Sequence, residues 1–286
     1  MNQVFKIEMR KVADGNLFKS AMAFGLIISI SNVFHSMETV NTYSALLAEL
    51  IEGGWAISHS YEGFSLFVNW IALNPLSFGN NLFYFVWPIL AAMPYGWSYS
   101  ADRRSGYYNQ IVSRSNAKTY FMAKYLAVYI SGGLVVSLPI LVDLLLNALI
   151  SPMCIPDVTM GIHPIFNCSF LSSLYYTYPW AYAFLWCLLH FIWGGTTASL
   201  CFVVGAKVRL NAVVVLIPFV SYVLFDALST TSSYLTGIKQ GFSPLNLIKA
   251  VSLSPSSGYV IFAVLAVLTV CGLLFGYRQV VKNELE

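Results

Sequence analysis

The chain has 286 residues, of which 58% are hydrophobic and only 9% charged, with a formal net charge of +3, and its mean hydropathy is +0.70. A soluble domain carries about 25% charged residues, so this composition excludes an ordinary water-solvated globule, and the small net charge argues against a nucleic-acid partner. The chain is predicted to be solvated mostly by lipid, as an all-α membrane protein.

At the N-terminus, Phe5, Met9 and Val12 share one helical face while Lys6 and Arg10 lie off it, which predicts an interfacial helix. A helix that crosses the hydrocarbon core needs about 20 apolar residues, and the first such span covers about 17–34. No small-x-small cleavage site follows it, so it reads as a retained anchor and not a signal peptide. The loop from 36 to 80 holds Glu38, Glu49, Glu52 and Glu62 but no Lys or Arg. It contains two amphipathic stretches. Val40, Tyr43, Leu47, Leu50 and Ile51 fall on one helical face, as do Phe64, Phe67, Val68 and Ile71. Both are expected on the outer surface or capping an opening.

A second span is predicted over 82–99. It leads into SYSADRRSGYYNQIVSRSNAK, residues 98–118, the most polar stretch of the chain. Here Asp102 is expected to act as a helix N-cap. Tyr107, Tyr108, Ile111 and Val112 would form the apolar face of a short helix. Arg103, Arg104, Asn109 and Gln110 supply hydrogen-bonding groups, and Gly106 permits close approach of another surface. The apolar face argues that this segment docks onto lipid headgroups or a protein.

Span three, about 120–150, carries Lys124 one turn from its inner end, expected to snorkel to the interface. Asp143 lies about two turns from the outer end and is expected either to snorkel outward or to line a substrate path. Beyond it, Cys154 and Cys168 share an outer loop and would be able to form a disulfide in an oxidising exterior. Span four, about 180–204, holds His190, a packed or path-lining histidine. Small residues at 131–133 and 194–199 allow close helix contact. A short link, 205–211, leads to span five, about 212–228, with Asp226 near its interface. The segment 229–257 is too apolar for a free loop. It predicts short helices that dip into the membrane and are broken by Gly241, Pro244 and Pro255. Span six covers about 258–277.

Six spans put both termini on one side. Thirteen of the 15 Lys and Arg residues fall on that side, with only Lys239 and Lys249 opposite. The basic side is cytoplasmic by the positive-inside rule, which predicts a multi-pass protein of the cell membrane with segment 98–118 facing the cytoplasm.

Few motifs point to chemistry. No G-x-x-x-x-G-K-[ST] run is present, so the chain has no phosphate loop of its own. His35 with Glu38 and His59 with Glu62 repeat an H-x-x-E spacing, but two isolated pairs do not assign a metal site. Cys187, Cys201 and Cys271 lie in spans and read as packing. An intramembrane enzyme would need converging groups, and Asp143, His190 and Asp226 lie on separate helices. A secondary transporter or a membrane scaffold remains the alternative to the reading that follows.

The order of an interfacial helix, six spans, an acid-basic-x-Gly segment after span two, a short link after span four and a broken hydrophobic hairpin before span six resembles the permease subunit of type-2 ABC exporters. The most specific part is ADRRSGYYNQIVSRSNAKTYFMAKYL, residues 101–126. The resemblance implies that Asp102, Arg103, Arg104, Gly106 and Tyr107, with Tyr108 and Ile111 on the same short helix, form a coupling helix that fits a cleft on a cytoplasmic ATPase. It implies a second permease copy or a paralogue. It also implies no cofactor in this chain, with ATP and Mg bound by the partner ATPase. The family often has Glu where Asp102 stands. Aromatic, weakly charged spans suit an amphipathic or hydrophobic cargo such as a peptide, an antibiotic or a lipid-like molecule.

Overall fold

The structure is a computed structural model that describes residues 2–54, 65–156, 165–166, 169–205, 207–208, 210–236, 243–251 and 258–282. The described residues form helices, with no strand among them. In chain order these are α1 (Asn2–Asp14), α2 (Asn16–Glu52), α3 (Leu66–Asn69), α4 (Phe78–Ala92), α5 (Ser98–Ser105), α6 (Tyr107–Arg114), α7 (Ala117–Asn147), α8 (Ser172–Thr177), α9 (Pro179–Gly205), α10 (Asn211–Thr236), α11 (Pro244–Leu247) and α12 (Gly258–Tyr277), followed by a π-helical turn, Arg278–Lys282. Among the described residues, five stretches are long and apolar enough to cross a membrane: α2, α7, α9, Asn211–Ser232 of α10, and Gly258–Val281.

The region predicted as span two is shorter than expected. α4 has 15 residues, a rise of roughly 22 Å against the roughly 30 Å of a hydrocarbon core. Regular helix lapses at 93–97, where Pro94 has no N–H to donate, and resumes as α5.

Span one is longer than predicted. α2 runs unbroken for 37 residues, roughly 55 Å, and so includes the stretch expected as a separate amphipathic element at 40–51. No Pro or Gly lies between Leu26 and Glu52 to stop it. Its inward face is made of Ala21, Gly25, Ile28, Ser29, Asn32, Val33 and Ser36, spaced by three and four residues. Phe24, Ile27, Ile30 and Phe34 are exposed, as expected where lipid is the solvent.

α7 and α9 form the centre. Their small residues meet: a Cβ built on Gly194 would stand 2.6 Å from the carbonyl oxygen of Gly132, so any side chain there would force the helices apart. The runs at 131–133 and 194–199 therefore pack as their composition predicted. Above this crossing lies an aromatic core in which Trp70, Tyr84, Trp87 and Trp193 are all 2% exposed or less.

The first outer loop behaves differently from its prediction. Leu66, Phe67, Trp70 and Ile71 are at most 1% exposed. The Trp70 indole donates to the carbonyl of Ile140 on α7, at 3.0 Å. The segment expected on the outer surface or capping an opening is instead packed inside the bundle, against the C-terminal part of α7. The apolar stretch before the last span packs too: Ser243 caps the one-turn α11 through Leu245 N, and Leu245, Leu247 and Ile248 are buried.

Candidate functional site

The polar segment folds as a helix-turn-helix, α5 and α6, joined at Gly106. That glycine has φ +74°, and a Cβ there would meet nothing within 4 Å. It is required by the left-handed backbone at the join, and no close approach constrains it. Asp102 is not an N-cap. It lies inside α5, where its Oδ2 accepts from Tyr120 Oη at 2.6 Å and from Lys124 Nζ at 2.7 Å, both on α7.

Lys124 does not snorkel. Its side chain is fully buried, and its ammonium also donates to Glu8 Oε2 at 2.7 Å and to Tyr95 Oη at 3.1 Å. Glu8 comes from α1 and is fully buried as well. Its Oε2 accepts from Tyr95 Oη at 2.6 Å, and Lys11 approaches Oε1 at 3.3 Å. One ammonium thus sits between two carboxylates from different elements, which leaves it no reason to reach for water. Burial opposes the charge of Glu8, but Lys124, with help from Tyr95 and Lys11, holds its carboxyl below the ordinary 4.5. Burial likewise works against Lys11, yet Tyr107, Glu8 and Asp102 hold its ammonium above the ordinary 10.5.

The apolar face of α6 is turned inward. Tyr107, Tyr108, Ile111 and Val112 pack against a small core that includes Val12, Tyr99, Tyr120, Phe121 and Val280. The Tyr108 hydroxyl donates to the Val280 carbonyl at 2.8 Å, and Lys11 Nζ lies 3.5 Å from the Tyr107 ring centre. The face left exposed carries Arg103, Arg104, Asn109, Gln110 and Arg114. Arg104 reaches across to Asn211 Oδ1, at 2.6 Å, at the start of α10. The segment is therefore bound to α1, α7, α10 and the C-terminal turn at once, with a polar outer surface.

The other predicted residues lie elsewhere. Asp143 is fully buried and accepts from Ile71 N, Asn32 Nδ2 and Asn147 Nδ2 at 2.7, 2.9 and 3.1 Å. It neither snorkels nor faces an open path. His190 is also fully buried. Its Nδ1 donates to the Trp186 carbonyl at 2.7 Å, and Nε2 faces the Tyr84 hydroxyl at 2.9 Å. Asp226 accepts from Asn246 Nδ2 at 2.6 Å. These three groups bond to separate partners and are not brought together. Cys168, His59 and Glu62 lie outside the described residues, and the Cys154–Cys168 disulfide and the second H-x-x-E pair lie there with them. Among the described residues no group of three or more His, Cys, Asp or Glu is placed to hold a metal.

Sequence reasoning missed Glu8. Its signal was present: an acid alone among Lys6, Arg10 and Lys11 on the side of a helix that carries Phe5, Met9 and Val12 inward. No protein-family model, no curated protein and no solved structure matches the chain.

Proposed function

We propose that this chain is the membrane subunit of an ABC exporter, without a nucleotide site of its own, driven by a separate cytoplasmic ATPase that docks on residues 101–118. In this reading α4, the turn after it and α5 together make the second of six crossings. Both termini face the cytoplasm of a cell-membrane protein. The buried outer segments, around α3 and α11, are re-entrant, and a second copy or a paralogue completes the transporter. The cargo is amphipathic or hydrophobic.

The observation that carries the reading is the mounting of α5 and α6. Their exposed face is polar and suited to a soluble partner, while the other side is held to α1 and α7 by the Glu8–Lys124–Asp102 cluster. Ion pairs buried this deeply resist separation, since removing one partner costs about 3–5 kcal/mol. A push on the exposed face would therefore move α1 and α7 rather than merely bend a loop. Transport driven by a docked ATPase needs that mechanical property, and a solvated turn does not have it.

Affinity capture of the chain from its native membrane, with identification of what co-purifies, tests the proposal. An ABC-type ATPase is expected in the complex. It is expected to be lost when Asn109 and Gln110, both exposed, are each replaced by Trp. Capture of no ATPase, or ATP hydrolysis by the homogeneous chain alone, would overturn it.

A further inference from the structure

We propose that the join between α1 and α2 is a binding site for an anionic phospholipid, whose phosphate lies against Lys6 and Arg10 while its acyl chains run along the exposed apolar stripe of α2. This inference does not depend on the transporter reading.

The two sides of α1 differ. Glu8 and Val12 are buried, and Met9 packs against the same small core as α6. The apolar side of α1 is therefore taken up by protein, and what the helix presents outward is basic. Lys6 and Arg10, one turn apart, are exposed, with Ile7 exposed between them. Lys19, in the first turn of α2, is exposed as well. Among the described residues Lys6 and Lys19 enter no ion pair. Arg10 has Asp14 at 3.8 Å, with both side chains more than three-quarters exposed, and a pair this open is weak and yields to a competing anion. Three exposed cations thus stand against one exposed carboxylate. Ile7, Arg10, Lys11, Asp14 and Gly15 line a shallow depression of about 560 Å³ at the join, where Lys11 is already held by Glu8 and Tyr107.

This basic surface runs directly into one that lipid must cover. Gly15 alone separates α1 from α2. Beyond it Leu17, Phe24, Ile27 and Phe34 are exposed, at a spacing that keeps them on one side of the helix. α2 is long and apolar enough to cross a membrane, so this stripe lies among acyl chains, and the cations flank its start. A phospholipid is the molecule that meets both surfaces, with chains for the stripe and a phosphate for the cations. Lys and Arg beside a bilayer surface attract anionic headgroups. A zwitterionic headgroup carries its own ammonium and brings no net charge to balance Lys6, Arg10 and Lys19. An acidic protein would match the cations but not the apolar stripe that begins at Leu17.

The test uses the full purified chain in detergent, to which phosphatidylglycerol or phosphatidylcholine with identical acyl chains is added. Retained lipid is counted by native mass spectrometry. Phosphatidylglycerol is expected to be retained in preference to phosphatidylcholine and to raise the unfolding temperature saturably, because a ligand bound only by the folded state stabilises it. Lys6→Gln combined with Arg10→Gln is expected to weaken the apparent affinity for phosphatidylglycerol roughly tenfold or more and to leave phosphatidylcholine unchanged. Lys207→Gln, which removes an exposed cation elsewhere, is expected to change neither. If the double variant fails to fold, the comparison of the two lipids on the wild-type chain still decides. Equal retention of the two lipids would overturn the proposal, as would an equal loss in Lys207→Gln and in the double variant. Inorganic phosphate that stabilises as well as phosphatidylglycerol would overturn it too, because the chains would then play no part. Stabilisation by polyglutamate in place of phosphatidylglycerol would do the same and would mean that an acidic protein covers this face.

Discussion

The Glu8 carboxylate and the Lys124 ammonium meet at 2.7 Å with neither side chain exposed, although 116 residues separate them in the chain. The contact joins an N-terminal helix rich in basic residues to the N-terminal part of the central helix α7. Asp102, 2.7 Å from the same ammonium and 14% exposed, extends the junction to the polar segment. Three separate elements, α1, α5 and α7, thus depend on one lysine.

That dependence sets an order among substitutions. Lys124→Met leaves two carboxylates facing an apolar side chain and is expected to destabilise by about 3–5 kcal/mol. Glu8→Gln keeps the shape of the site and leaves Lys124 paired with Asp102, so its cost is expected to be smaller, about 1–3 kcal/mol. The double variant should be less than additive, because the residues share one network. Thermal unfolding of the four proteins in detergent measures the cycle, and strict additivity would show that the two groups do not interact.

The same site predicts a pH response. The Glu8 carboxyl is held below its ordinary 4.5, so folding favours the charged form. Its contribution to stability is fully present above about pH 4.5 and is lost as pH falls through the lower folded value. The stability difference between wild type and Glu8→Gln should therefore be flat above that range and shrink below it. Lys11 runs in the opposite sense. It is held above 10.5, and its contribution is present below that pH and lost as pH rises through the higher folded value. Unfolding temperatures across pH, compared with Glu8→Gln and Lys11→Met, check both signs.

Gly106 offers a separate test of backbone conformation against space. Its φ is +74° and nothing crowds the position of a Cβ. Asn, which tolerates left-handed geometry, should be nearly neutral, whereas Val should cost about 1–2 kcal/mol or more. If Val and Asn behave alike in thermal unfolding, the join between α5 and α6 is not held in this conformation.

Topology can be read with single cysteines placed at Glu52, at the end of α2, and at Ser113, on the exposed face of α6. An impermeant thiol reagent applied to whole cells is expected to label the first and to reach the second only after permeabilisation. Labelling of both from outside would mean that the short α4 does not carry the chain across.

Hydrophobicity and length alone determined that this is a helical chain solvated by lipid, because a backbone in hydrocarbon must satisfy its own hydrogen bonds. The positions of α7, α9, α10 and α12 were legible for the same reason, as was the close packing of the small residues at 131–133 and 194–199. The sequence did not show that the loop around Trp70 folds into the core, because apolar residues at helical spacing read alike whether they cover a surface or fill a core. Nor did it show which way the apolar face of α6 points, since Tyr107 and Ile111 suit a partner protein as well as α1 and α7. The assembly of Glu8, Tyr95, Asp102 and Lys124 was decided only by the tertiary structure. A charge can be placed on a helix face from its neighbours in sequence. Which opposite charge it finds at 2.7 Å depends on how helices far apart in the chain come to pack.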